Sequence, residues 1–123
     1  MRILVIDEQR LVLSILKDRL TDSGHQVLTS PSVAEALGTN KGGEPEVDVI
    51  IIDPGTVREV VIDAVDKIHS TFPGADILLI NHVQLDGQYA LSRDVFAFLR
   101  KPLHLAELAL LLARIREKRG LES

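Results

Sequence analysis

The residues able to do chemistry in this chain are few and lie far apart: the acidic pair Asp7-Glu8, a single Asp53, Asn81 and Lys101. Each follows a short apolar run: Ile3-Leu4-Val5-Ile6, Val49-Ile50-Ile51-Ile52, Ile77-Leu78-Leu79-Ile80, and Val95 to Leu99. Carboxylates drawn together repel one another and raise each other's pKa unless a cation sits among them. Oxygen donors, one amide neighbour and no cysteine anywhere in the chain favour a hard ion, Mg2+ or else Mn2+ or Ca2+. A lysine from another strand end adds a fixed positive charge. Carboxylate, hard cation and ammonium at one point are what phosphoryl transfer to a carboxylate requires: the carboxylate attacks, and the two cations neutralise the phosphoryl oxygens. Taken singly, each residue has a plainer reading. Asp53-Pro54-Gly55 is ordinary turn composition, and Lys101 suits a solvated charge at a strand end. The chemistry depends on whether the fold gathers them.

The run Val49–Ile52 is β-branched throughout and too short for a long helix, which fits a central strand buried on both faces. Arg2 to Ile6 reads as a second buried strand. An amphipathic helix follows to about Asp22, with Val12, Ile15, Leu16 and Leu20 on one stripe, and Ser23-Gly24 stops it. Gln26 to Thr29 is a short, less apolar strand suited to a sheet edge. Ser32 caps a brief helix ending near Gly38, with Glu35 completing a capping box. After a loop over 39–46 and the central strand, a helix from about Arg58 to Thr71 turns Val61, Val65, Ile68 and Phe72 toward the core. Pro73-Gly74 ends it. Ile77–Ile80 is the next strand, a short helix is expected around Leu85–Ser92, Val95–Leu99 is the last strand, and a helix runs from Leu103 to about Lys118. Five alternations of strand and helix force parallel pairing and right-handed crossovers, giving an α/β fold with helices on both faces of the sheet. Asp7-Glu8, Asp53, Asn81 and Lys101 then share the carboxyl-end rim, where open α/β sheets bind ligands.

At 123 residues, with 46% apolar and 26% charged residues, the chain has the size and composition of one globular domain. A net charge of -4 argues against nucleic-acid binding through a basic face. The absence of cysteine excludes disulfides and thiolate chemistry. No signal peptide or membrane span is visible, because Asp7-Glu8 interrupts the first apolar run, and a soluble, cytoplasmic domain is expected. His25, His69, His82 and His104 lack metal-ligand spacing, and three of them are expected at the surface.

Over nearly its full length the sequence resembles receiver domains of two-component response regulators. The acidic pair after the first strand, Asp53 after the third, and Phe98-Leu99-Arg100-Lys101-Pro102 on and after the fifth carry the likeness. It implies a flavodoxin-like, doubly wound (βα)5 sheet in the order 2-1-3-4-5. It implies a phosphoryl group accepted on Asp53 from a histidine kinase or phosphotransfer protein, and Mg2+ held by Glu8, Asp53 and the Gly55 carbonyl. Asp7 would arrange metal waters and Lys101 would pair with the acyl phosphate. Residues 1–123 would form a single receiver domain, a signalling module rather than an enzyme, with no output domain in this chain. The sequence also departs from the pattern. Asn81 stands at the switch position, where the likeness implies Thr or Ser to act with the aromatic Phe98, and His82 follows where a small residue is usual. Pro54-Gly55 replaces Met-Pro, and Asp94 replaces a glycine before the last strand. An Asn amide can donate to phosphate but is bulkier than a hydroxyl. The alternative is therefore a pseudo-receiver, an interaction module signalling without phosphorylation.

An enzyme on the same fold is disfavoured. A flavin protein needs a Ser/Thr/Gly phosphate loop where Asp7-Glu8 would repel phosphate, and a haloacid-dehalogenase-type phosphatase needs Asp-x-Asp where the chain has Asp7-Glu8-Gln9. The last helix carries a core stripe of Leu105, Leu108, Leu112 and Ile115 and a second apolar face of Ala106, Leu110 and Ala113. That second face marks a surface for a homodimer or a downstream protein.

Overall fold

The computed structural model describes residues 1–38, 46–55, 58–80 and 95–121. Within them the chain runs β1 (Arg2–Ile6), α1 (Arg10–Asp22), β2 (Gln26–Ser30), α2 (Val33–Gly38), β3 (Val49–Ile52), α3 (Arg58–Thr71), β4 (Asp76–Ile80), β5 (Val95–Leu99) and α4 (Leu105–Lys118). The expected helix around Leu85–Ser92 lies outside the described residues, as do Asn81, His82, Asp94 and most of the loop over 39–46.

The five strands form one parallel sheet in the order β2-β1-β3-β4-β5, as expected of a flavodoxin-like doubly wound fold. Side chains alternate across each strand, so the apolar runs feed two cores. Ile3, Val5, Val49, Ile51, Leu78 and Ile80 meet α1 and α4 on one face. Leu4, Ile6, Ile50, Ile52, Ile77 and Leu79 meet α2 and α3 on the other. A strand with helices on both sides has no polar face, which is why the central runs are unbroken hydrocarbon. Val61, Val65, Ile68 and Phe72 of α3 are all buried, as their spacing predicts. Ser32 caps α2, its Oγ accepting from the Glu35 N–H at 3.2 Å.

Two helix faces differ from expectation. In α1 the buried stripe is Leu13, Leu16 and Leu20, while Val12 is half-buried and Ile15 is 46% exposed. In α4 Leu111 joins Leu108, Leu112 and Ile115 in the core, and Leu105 is 38% exposed. Both helices are apolar on more than one side, so spacing alone permits several stripes; the sheet selects one. Among the described histidines only His104 is exposed, with His25 and His69 half-buried. Burial, the amino-terminal charge and Arg116 together lower the His25 pKa, against a hydrogen bond at Met1. No described helix is long and apolar enough to cross a membrane.

Candidate functional site

The rim is built by strand register. Ile6 of β1 pairs with Ile52 of β3, so the next residues, Asp7 and Asp53, emerge side by side. The ladder continues past both strands: the Asp53 N–H donates to the Ile6 carbonyl at 2.9 Å, and the Asp7 N–H to the Ser30 carbonyl at 3.1 Å. On β5, Leu99 lies opposite Ile80, and Lys101 follows two residues later. Its ammonium reaches back over the sheet to Asp53 Oδ2 at 2.8 Å and Asp7 Oδ2 at 2.9 Å. Residues separated by most of the chain thus meet at one nitrogen.

Each group has a distinct environment. Asp7 is fully buried at 0% exposure, and both its oxygens are engaged. Oδ2 accepts from Lys101, and Oδ1 accepts from the Gln9 backbone N–H at 2.8 Å. Asp53 is mostly buried, and its Oδ1 accepts from the Gly55 N–H at 3.1 Å. That contact folds the loop back over the strand end with Gly55 at a φ of +106°, a conformation that side chains with a Cβ rarely adopt. Lys101 makes a third contact, to Gln9 Oε1 at 3.3 Å. Burial works against the Lys101 charge, but the hydrogen bonds and negative fields of Asp53 and Asp7 outweigh it and raise its pKa above the ordinary lysine value.

Glu8 is exposed, and this corrects the expectation that three carboxylates crowd one point. Among the described residues no three acidic or histidine side chains are grouped closely enough to hold an ion. Asp7 points into the protein toward Lys101, and the next residue, Glu8, lies in the bend past the strand end and is exposed. Glu8 instead shares a hollow of about 170 Å³ with Asp53, Pro54, Gly55, Ser32 and Val33. Two carboxylates, a backbone carbonyl and room for water form an all-oxygen set that fits Mg2+, which is usually held by one or two carboxylates and keeps several waters. Asp7, with both oxygens committed, could serve such an ion only through water.

Phe98 is half-buried and packs against the α2–α3 core. Leu110 on α4 is 53% exposed, with Ala106 and Ala113 exposed beside it. Asn81 lies outside the described residues. Gln9 escaped the sequence reading, although a Gln at a helix N-cap, where Ser, Thr, Asp or Asn is favoured, was a signal.

No protein-family model matches the sequence, and no curated protein matches it. Solved structures do. The chain's structural neighbours include response-regulator receiver domains and response regulators. A response regulator receiver domain protein from Clostridium thermocellum is 26% identical over 97% of this chain and 96% of its own, with a TM-score of 0.81. A two-component response regulator from Clostridium difficile has the same TM-score, 0.81, at 21% identity over 97% of this chain and 98% of its own. A Thermotoga maritima response regulator in complex with Mg2+ and BeF superimposes at a TM-score of 0.70, 21% identical over 93% of this chain and 97% of its own. The last two likenesses speak to the fold alone. Similarity to receiver domains implies two-component signalling, and such domains are signalling modules.

Proposed function

We propose that the chain is a phosphoacceptor receiver that takes a phosphoryl group onto Asp53 from a histidine kinase or phosphotransfer protein. The observation that carries this reading is the single lysine bridging two strand-end carboxylates while an acid-lined hollow opens beside one of them. An Asp53 oxygen would attack the phosphorus of a donor phosphohistidine. The P–N bond breaks, the donor imidazole leaves with its electron pair, and an acyl phosphate forms on Asp53. Lys101 follows the transferred oxygens, and Asp7 anchors Lys101 from below. Glu8, Asp53 and the Gly55 carbonyl would hold Mg2+, with Asp7 ordering its waters. Bound there, Mg2+ supplies charge neutralisation for the phosphoryl oxygens. Among receivers, the Mg2+ and BeF complex of the Thermotoga protein offers a precedent for such a ligand.

The exposed Ala106, Leu110 and Ala113 face of α4 would be the output surface, toward a second copy or a downstream protein. Leu110→Glu should then shift the elution volume or weaken partner capture; unchanged behaviour in both overturns this part. The identity of residue 81 favours a second reading, the pseudo-receiver, in which the fold signals without phosphate. Beryllofluoride titration with Mg2+, followed by NMR, separates the two. Shifts around Asp53 that vanish in Asp53→Asn support the phosphoacceptor; no shift at saturating Mg2+ supports the pseudo-receiver.

A further inference from the structure

Gln9 hydrogen-bonds to both members of the Asp7–Lys101 pair. Its backbone N–H donates to Asp7 Oδ1 at 2.8 Å, and its side-chain Oε1 accepts from Lys101 Nζ at 3.3 Å. Its place at the start of α1 does not account for the side chain. Gln9 is the N-cap, with extended φ and ψ of -84° and 109°, yet its side chain makes no capping hydrogen bond. The helix draws on its backbone carbonyl, which accepts from the Leu13 N–H at 3.2 Å. The carboxamide reaches away from the helix to the ammonium.

An ammonium has three donors, and Lys101 has three acceptors: Asp7, Asp53 and Gln9. They are not equivalent. Asp53 is the acceptor that changes when its carboxylate becomes an acyl phosphate, because its negative charge gives way to that of the phosphoryl group. Asp7 and Gln9 are then the two contacts that stay unchanged while the third passes to the phosphoryl oxygens, and two anchors hold a point that one would let swing.

Resting on the phosphoacceptor reading above, we propose that Gln9 is a positioning residue that holds the Lys101 ammonium for the phosphorylated state. Gln9 supplies a neutral acceptor, which directs the ammonium without competing with the phosphoryl group for its charge. Its contribution is greater once Asp53 carries a phosphoryl mimic than at rest.

The test uses the full chain and two variants. Gln9→Leu keeps the backbone N–H that serves Asp7 and removes only the acceptor; Gln9→Glu keeps an acceptor oxygen. The first readout is hydrogen exchange of the Lys101 ammonium, observed by 15N-resolved NMR. Exchange should quicken several-fold in Gln9→Leu and return toward the original rate in Gln9→Glu. The second is affinity for beryllofluoride at saturating Mg2+, which should fall about fivefold in Gln9→Leu, the scale of one lost hydrogen bond. The affinity for Mg2+ alone should stay within twofold of the original. Unchanged ammonium exchange in Gln9→Leu, or equal losses of Mg2+ and beryllofluoride affinity, would overturn the proposal. If the original chain binds no beryllofluoride, the phosphoacceptor reading fails, and the exchange measurement still decides whether Gln9 positions Lys101.

Discussion

The two ends of the sheet solve the same electrostatic problem differently. At the amino ends of the central strands, Asp48 and Asp76 lie next to each other, the Asp76 N–H donating to the Asp48 carbonyl at 2.9 Å. Two cations from the end of α4 cover them. Arg119 reaches Asp76 Oδ2 at 2.9 Å and Asp48 Oδ1 at 3.4 Å and also donates to the Gly74 carbonyl, while Lys118 pairs with Asp76. Lys118 lies over the Phe96 ring as well, 5.3 Å from its centroid. Two acids meet two bases, and the charge is closed. At the carboxyl ends, two carboxylates, Asp7 and Asp53, share one lysine, and the exposed Glu8 stands apart on the hollow beside Asp53, so negative charge is left over there. A neutralised cluster clamps a helix to a sheet; a cluster with negative charge left over beside an open hollow suits a cation. The difference between the two acid clusters lies in the charge left over.

Breaking the carboxyl-end cluster should therefore cost binding, and breaking the other should cost stability. The largest effect expected is at Asp53. Asp53→Asn should abolish the Mg2+-dependent beryllofluoride shifts seen by NMR, and Glu8→Gln should weaken Mg2+ binding at least tenfold in a fluorescence or NMR titration. Neither should lower stability without metal, because each removes a surplus negative charge. Asp76→Asn should do the reverse, costing about 2 kcal/mol in urea unfolding because two cations lose their shared carboxylate. Beryllofluoride binding should survive that change. Ser32→Ala, which removes the α2 cap beside the hollow, should cost about 1 kcal/mol in the same measurement. The smallest effect expected is at alkaline pH. The Lys101 pKa is raised in the folded state, so its contribution is complete below the ordinary value of 10.5 and is lost as pH climbs through the folded value. As pH rises above the ordinary lysine value of 10.5, urea midpoints should fall less steeply in Lys101→Met than in the original chain.

How much of this was legible in the sequence follows from which forces are local. The strands were legible because a residue buried on both faces must be apolar, so Val49–Ile52 and Ile77–Ile80 admit no other role. The carboxyl-end rim was legible too, since a polar residue directly after such a run must emerge at the strand end. What escaped depends on tertiary direction. The core stripe of α1 shifts from Ile15 to Leu13 because the sheet chooses among several apolar faces. Asp7 and Glu8 read as one acidic pair, yet the chain bends after the strand end, burying the first and exposing the second. The Asp48–Asp76–Arg119 clamp joins residues whose partners are distant in the chain, and no periodicity announces it.

On the proposed reading Asp53, paired with Lys101 beside an acid-lined hollow, accepts a phosphoryl group. Incubating the chain with acetyl phosphate and following intact mass tests it most directly, with Mg2+ present or removed by chelation and Asp53→Asn in parallel. A phosphoryl adduct that requires Mg2+ and is absent from the variant is the predicted result. An unmodified mass at saturating Mg2+, or an adduct that persists in Asp53→Asn, would contradict it.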